Sequence, residues 1–536
     1  MSGVGNRTTT MNFGDRAFAN AGAIGFERPR GDITTVLDLT DRDDQDDTLF
    51  PLDAQKTRWT RNGLTRYVPF TQTDLEYNHT GPAEFGQRFT FELGKGMGDF
   101  VNGLSLQLRL GHWFPENILQ GLAAYQTTYN SLEDGWYYAN SLGTVLIQRA
   151  ELEIDGQVVE VVDGDFLNIW SLLNYSSNAN VGLSADALGR VPVSTLRRWG
   201  TRRSYLPFPT ENRTIICPLL FHFCRLPSDE AFPLVAARDG TVRVNITLRP
   251  FSEVVRIASG VRPGGCTDTP LQKSFVMNVD NTGGNTPITP VIVNTGIAEP
   301  KFEDVRLVVS SVFIDGPLRD LYMKKPFEYL YRQVQTFVFD EPLKYVTAKS
   351  TGLTDSVEIQ LPLELNHPVE ELIWVVRRKG VVLNNEWTNY TTLLESQRAA
   401  IDGSLFSDTT DPTITPPAFV LRGKIQINGL DLIEADGDFF RREAGRTHRG
   451  GLTPYLAGIY GYSFARAPAK HQPSGWMNAS RTWTTRITLQ VVSPPACVVP
   501  GGFDQTISNT WEVRVYAVAM NWMRFENGIA NRIFTD

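Results

Sequence analysis

Along most of the chain, apolar residues occupy every second position. Leu104, Leu106, Leu108 and Leu110 alternate with Ser105, Gln107 and Arg109, and Val242, Val244, Ile246 and Leu248 with Arg243, Asn245 and Thr247. Further on, Val357, Ile359, Leu361, Leu363 and Leu365 alternate with Glu358, Gln360, Pro362 and Glu364, and Ile487, Leu489 and Val491 with Arg486, Thr488 and Gln490. Successive residues of a strand face opposite sides of its sheet, so a period of two predicts strands buried on one face. Pro362 inside such a run marks an edge strand or a bulge. Asp155-Gly156 and Asn428-Gly429 place residues that tolerate positive φ between apolar runs, which is hairpin chemistry and predicts mostly antiparallel pairing. Helical spacing is scarce. Its best case is Phe166, Ile169, Trp170 and Leu173, with Asp165 as the expected N-cap, so one or two short helices are expected between strands.

The pattern occurs twice. Ile154-Asp155-Gly156, six residues, then Asp163-Gly164-Asp165-Phe166 returns as Ile427-Asn428-Gly429, six residues, then Asp436-Gly437-Asp438-Phe439, a spacing of 273 between Gly156 and Gly429. Identities at both ends of an equal gap mark an internal duplication. Two weaker echoes are Phe223-Cys224-Arg225 with Phe464-Ala465-Arg466, and Val242-Arg243-Val244 with Val513-Arg514-Val515. The expected fold is all-β: two tandem antiparallel jelly-roll (β-sandwich) domains with short helices in connecting loops. The expected division is an extended or flexible arm at 1–54, a first roll at 55–257, a Gly- and Pro-rich linker or loop insertion at 258–300, and a second roll at 301–536.

Composition narrows the chemistry. Against 51 Lys and Arg stand 59 Asp and Glu, a net charge of −8, so the basic footprint of a phosphate binder is missing and no direct nucleic acid is expected. Cys217, Cys224, Cys266 and Cys497 are too sparse for a disulfide scaffold and read as core thiols of a reducing compartment. The opening Met1 to Arg7 lacks the apolar stretch of a secretory signal, and no window approaches 18 apolar residues, so synthesis in the cytosol without an anchor is expected. None of the six histidines forms a H-E-x-x-H or i, i+4 pair. Gly94 to Asp99 superficially resembles a phosphate loop but lies between two strands and reads as a flexible hairpin connection. Asp163 with Asp165, and Asp436 with Asp438, offer paired oxygens suited to Ca²⁺ or to acid and base work, yet their recurrence after a hairpin favours a turn and helix-capping role. The basic cluster Arg197 to Arg203 reads as an exposed loop or subunit contact, and Arg30-Gly31-Asp32 as a chance triplet in the arm.

Four segments carry a resemblance to a known family. They are Tyr67 to Leu110, with Phe85-Gly86-Gln87-Arg88 and Gly98-Asp99-Phe100-Val101; Trp136 to Gly143 leading into Ile147 to Trp170; Leu365-Asn366-His367-Pro368 through Trp374-Val375-Val376; and Tyr460 to Ala465 with His471-Gln472-Pro473-Ser474-Gly475, followed by Val513 to Val518. Together they resemble the double jelly-roll major capsid proteins of nucleocytoplasmic large DNA viruses, of the chlorovirus and iridovirus kind. The resemblance implies a structural protein of the virion, built as pseudo-hexagonal homotrimeric capsomers that tile an icosahedral shell around double-stranded DNA. It implies as partners the chain itself, neighbouring capsomers, minor capsid and penton proteins and proteins of an inner membrane, with synthesis and assembly in the host cytoplasm. No catalytic residue, metal or cofactor is implied. Asp155, Gly156, Asp163, Asp165, Trp170, Asn366, His367, Pro368, Trp374, Asn428, Gly429, Asp436, Asp438, His471, Gln472, Pro473, Ser474 and Gly475 enter as structural markers, expected at strand ends and domain contacts. The alternative class is a carbohydrate-binding (lectin-like) or carbohydrate-active double jelly roll, suggested by Trp113, Trp136, Trp387 and Trp476.

Overall fold

A computed structural model describes residues 69–94, 96–111, 135–139, 141–174, 213–225, 230–258, 301–339, 356–378, 385, 387–390, 419–448, 458–468, 470–492, 498–499, 502–503 and 511–534. The arm with Arg30-Gly31-Asp32, the Arg197 to Arg203 cluster, Trp113, Cys266, Cys497 and nearly all of the 258–300 insertion lie outside these residues.

Among the described residues, the two large sheets of the first roll hold eight strands, β1 (Phe70–Asn78), β2 (Arg88–Leu93), β3 (Phe100–Leu110), β4 (Ile147–Ile154), β5 (Gln157–Val162), β6 (Arg213–Pro218), β7 (Val242–Leu248) and β8 (Phe302–Ile314), beside a small antiparallel pair of Gly135–Tyr138 with Val255–Ala258. The eight form two four-stranded sheets, in the orders β1-β8-β3-β6 and β2-β7-β4-β5. The second roll has β9 (Phe327–Phe339), β10 (Ser356–Leu363), β11 (Pro368–Arg378), β12 (Val420–Ile427), β13 (Leu430–Asp436), β14 (Ile459–Ser463), β15 (Thr485–Val492) and β16 (Trp511–Glu526). Its orders, β9-β16-β11-β14 and β10-β15-β12-β13, repeat the first roll strand for strand, with Met477–Asn478 and Ile529–Arg532 added to the former sheet. All pairs in these four sheets are antiparallel. Among the described residues, three helices of nine or more residues accompany them: α1 (Gly164–Asn174), α2 (Gly316–Lys324) and α3 (Gly437–Thr447).

The alternating apolar residues face inward as their period requires. Leu104, Leu106 and Leu108 meet Val305, Leu307 and Val244 in one core, and Ile359, Leu361, Ile487, Leu489 and Trp374 fill the other. Proline in a strand withholds an N–H, and Pro362 accordingly sits on β10, an edge strand.

Four readings change. Phe302–Ile314, expected to open the second roll, pairs with β1 and β3 and so completes the first, because a jelly roll places its last strand in the middle of a sheet. Its counterpart is β16, so the partner of Val513-Arg514-Val515 is Val305-Arg306-Leu307, and the echo with Val242-Arg243-Val244 does not hold: β7 matches β15. The Gly94 to Asp99 segment joins strands of different sheets and is no hairpin. The α1 cap is Asp163, whose Oδ1 accepts from Phe166 N at 2.7 Å.

The duplicated glycine has a steric cause. A Cβ on Gly164 would lie 2.3 Å from Thr144 O, and one on Gly437 2.0 Å from Val420 O, so each helix starts against backbone that no side chain can share.

Candidate functional site: the charged seam between the rolls

The outer face of the sheet β9-β16-β11-β14 is covered by the first roll. Ile373, Val375, Tyr516 and Ile459 point away from their own core and join the apolar cluster of the first roll, each 1% exposed or less. Into this surface the first Asp-Gly-Asp turn projects. Arg377 Nη1 donates to both Asp165 oxygens at 3.0 and 3.1 Å, and its Nη2 to both Glu512 oxygens at 3.1 and 3.3 Å. Arg514 Nη1 lies 3.0 Å from Asp163 and 2.9 Å from Asp165, while its Nε holds Glu512. Tyr516 and Tyr390 hydroxyls donate to Asp163 (3.0 Å) and Asp165 (3.3 Å), and the rings of Phe166 and Tyr516 meet at 5.5 Å.

Burial pushes the Asp165 carboxyl up, but Arg377 and then Arg514 outweigh it and hold it below the usual range. Asp163 is raised, by burial first and then by the charge of Asp165. Burial alone would lower Arg377 and Arg514, yet Asp165 reverses the balance and raises both. Asp165 is thus an ion partner across the rolls, while the cap of α1 is Asp163.

A second charged node lies beside it. Glu160 of β5 accepts from Arg225, which also donates to Arg332 O of β9 at 3.0 Å. Arg225 stands over the rings of Phe166 (5.2 Å) and Trp170 (5.6 Å), and burial lowers its pKa to about 9. Arg332 donates to Glu370 (2.5 Å), to Glu230 of the first roll (3.0 Å) and to the carbonyls of Lys470 (2.7 Å) and His471 (3.1 Å), while the His471 ring meets Glu230 at 2.9 Å. A loop of the second roll completes the seam: Trp387 Nε1 donates to Glu253 O at 2.8 Å, under the Arg249 guanidinium at 3.7 Å.

The marker residues therefore divide. Asp163, Asp165, Trp170 and His471 meet at the seam. Asn366, His367 and Pro368 hold the start of β11: Asn366 exchanges two hydrogen bonds with Gln335 (2.8 and 3.1 Å), His367 takes φ of 64° and donates its N–H to Ser480 Oγ (3.1 Å), and Pro368 pairs with Asn478. Trp374 lies in the second core between Phe440 and Tyr460. Ser474 Oγ accepts from Ala467 N at 2.8 Å, and Gly475 supplies φ of 143°, while Gln472 is exposed and Pro473 half-buried in the same bend. Asp155 and Asn428 lead the two hairpin turns, and Asp436 and Asp438 are exposed at the start of α3. Spacing did not single out Arg377, Arg514, Glu512, Arg332, Glu370 and Tyr390. The duplication points to Arg514, through the acid-Val-Arg-apolar run it shares with Asp304-Val305-Arg306-Leu307.

Two jelly rolls of the same strand order stand in series, locked by a buried, charged seam. Comparison agrees: a family model for the large eukaryotic DNA virus major capsid protein matches residues 319–531, and one for the major capsid protein N-terminus matches 58–315. The chain belongs to this family and is a structural capsid protein. It is 27% identical over 558 residues to a major capsid protein of Phaeocystis pouchetii virus (88% of this chain, 94% of that one) and 25% identical over 597 residues to one of Chrysochromulina ericina virus (88% and 94%). In fold it matches a chain of a quasi-atomic model of the PBCV-1 virus capsid, with a TM-score of 0.60 at 20% identity, covering 88% of this chain and 98% of that one.

Proposed function

We propose that this capsid protein works as a homotrimer that tiles an icosahedral shell as a near-hexagon. The observation that carries this reading is the strand-for-strand identity of the two sheet orders. Three copies of a chain with two equivalent rolls present six similar walls around one axis, so a three-fold object fills a six-fold position. The rolls part within the α2 segment, a division supported by the pairing of β8 and by the boundary between the two family models at 315 and 319. Its work is geometric and no catalysis is assigned to it. Neighbouring capsomers, minor capsid and penton proteins and inner-membrane proteins are its partners, with synthesis and assembly in the host cytoplasm. Sedimentation of the folded protein tests this: a species of about 180 kDa, three times 60.0 kDa, with hexagonal outlines in electron micrographs, is the expected result. Folded protein that stays at 60.0 kDa at every concentration overturns it.

A further inference from the structure

Each half of the internal contact has an unused double elsewhere on the chain. On the first roll, Arg109 lies opposite Asp304 as Arg377 lies opposite Glu512, and Arg306 follows Asp304 by two as Arg514 follows Glu512. The local ion pair is repeated as well: Arg306 Nε holds Asp304 at 2.9 Å, as Arg514 Nε holds Glu512. Yet the Arg109 and Arg306 side chains are 50% and 42% exposed, where Arg377 is 1%. On the second roll the acidic turn is equally open. Asp438 is 65% exposed against 4% for Asp165, and the Asp436 side chain makes no capping bond, unlike Asp163. Phe439, the double of the buried Phe166, is half-buried, and Leu432, the double of Val159, is 47% exposed against 6%. A surface cleft of about 690 Å³ is lined here by Asp436, Asp438, Phe439 and Arg442.

We propose that the acidic turn of the second roll docks on the first roll of a second copy of this chain, Asp438 meeting Arg109 and Asp436 meeting Arg306. This rests on the trimer reading and names the contact that makes it. The contact is head to tail, so it uses one open acidic turn and one open arginine pair per chain, and it closes when the last copy meets the first. Three contacts within chains then alternate with three between them, all of one chemistry. In the free chain Arg109 is held by Glu303, Arg306 by Glu76 and Asp304, and Asp438 by Arg441. Both members of the pairs held by Arg109 and Arg306 are more than a third exposed, and pairs of that kind exchange partners at little cost, while Asp438, 65% exposed, meets Arg109 without leaving the buried Arg441.

The test is a charge swap read by sedimentation velocity over a concentration series, with urea unfolding to confirm the fold of each variant. Asp438→Arg and Arg109→Asp, made singly, each place like charges in the contact and are expected to raise the protomer concentration needed for trimers at least tenfold. The two together restore opposite charges and are expected to return it to within threefold of the wild type, which a folding defect would not do. Wild-type protein that is folded but monomeric overturns the trimer reading and this contact with it. A trimeric wild type whose single variants assemble as it does, or whose double variant is no better than either single, overturns the contact alone.

Discussion

Two sheet faces of this protein share one register and differ in what they carry. On β9-β16-β11-β14, Val375, Ile373, Tyr516 and Ile459 surround Arg514; at the same register on β1-β8-β3-β6, Gln107, Ser105, Val308 and Ile216 surround Arg306. Ile459 is fully buried, while Ile216 is 38% exposed. The first face is covered whenever the chain folds, so apolar side chains there are buried at once and contribute to stability. The second must stay soluble on a chain that has yet to meet a partner, and a large apolar patch there would invite unspecific association. Charge stands on both faces, while the positions of Val375 and Ile373 on the first are taken by the polar Gln107 and Ser105 on the second. The duplication thus diverged in adhesive strength while preserving the pairing code.

The largest expected effect breaks the covered face. Arg377→Ala would leave the buried Asp165 and Glu512 with Arg514 as their one remaining shared partner among the described residues, and removal of one member of such a buried ion network costs about 3–5 kcal/mol. The urea midpoint of the protomer should fall accordingly. Arg109→Ala removes the matching guanidinium from a half-exposed site and should leave the unfolding free energy within about 0.5 kcal/mol of the wild type. Equal losses in the two variants would erase the distinction between the faces.

Acid should loosen the covered face as well. His222 is buried among the rings of Phe223, Phe232, Tyr329 and Tyr331, with Nδ1 3.2 Å from Glu160 Oε2. Burial lowers its pKa to about 4, outweighing the raising effect of the Glu230 charge. A folded pKa below the unfolded one means that the unfolded chain takes the proton first. Stability present above about pH 6.5 is therefore lost as the pH falls toward 4, by about 3 kcal/mol for this group. His222→Gln should flatten urea midpoints measured between those pH values, and an unchanged slope would remove His222 as the cause.

Much of this architecture is legible in the amino-acid sequence. Strand identity follows from alternation where one face of the strand is buried in the core of its own roll, as in Phe100–Leu110 and Thr485–Val492. The duplicated hairpin and Asp-Gly-Asp-Phe announce two similar rolls, because Gly164 and Gly437 are under the same steric constraint in both. The boundary between rolls is not legible. The Gly- and Pro-rich stretch before Phe302 looks like a linker, but it precedes the last strand of the first roll, and pairing over such a distance leaves no local mark. The different fates of Asp165 and Asp438 are hidden for the same reason. Their sequence surroundings match, and only the arginines brought in from 212 and 349 positions away make one of them a buried ion partner.

The smallest effect concerns what the two rolls kept alike. Asp155 and Asn428 both begin two-residue turns, with φ of 50° and 52°, each followed by a glycine at positive φ. Both side chains accept from the backbone of a neighbouring segment: Asp155 Oδ1 from Thr241 N at 2.7 Å, and Asn428 Oδ1 from Trp483 N at 2.7 Å and Thr484 N at 3.3 Å. Left-handed backbone suits Asp and Asn better than alanine, and the lost hydrogen bond adds to the cost. Asp155→Ala and Asn428→Ala should each lower stability by about 1 kcal/mol, equally within error, since neither turn lies at the seam. A loss confined to Asp155→Ala would show that the rolls diverged in their hairpins as well as in their outer faces.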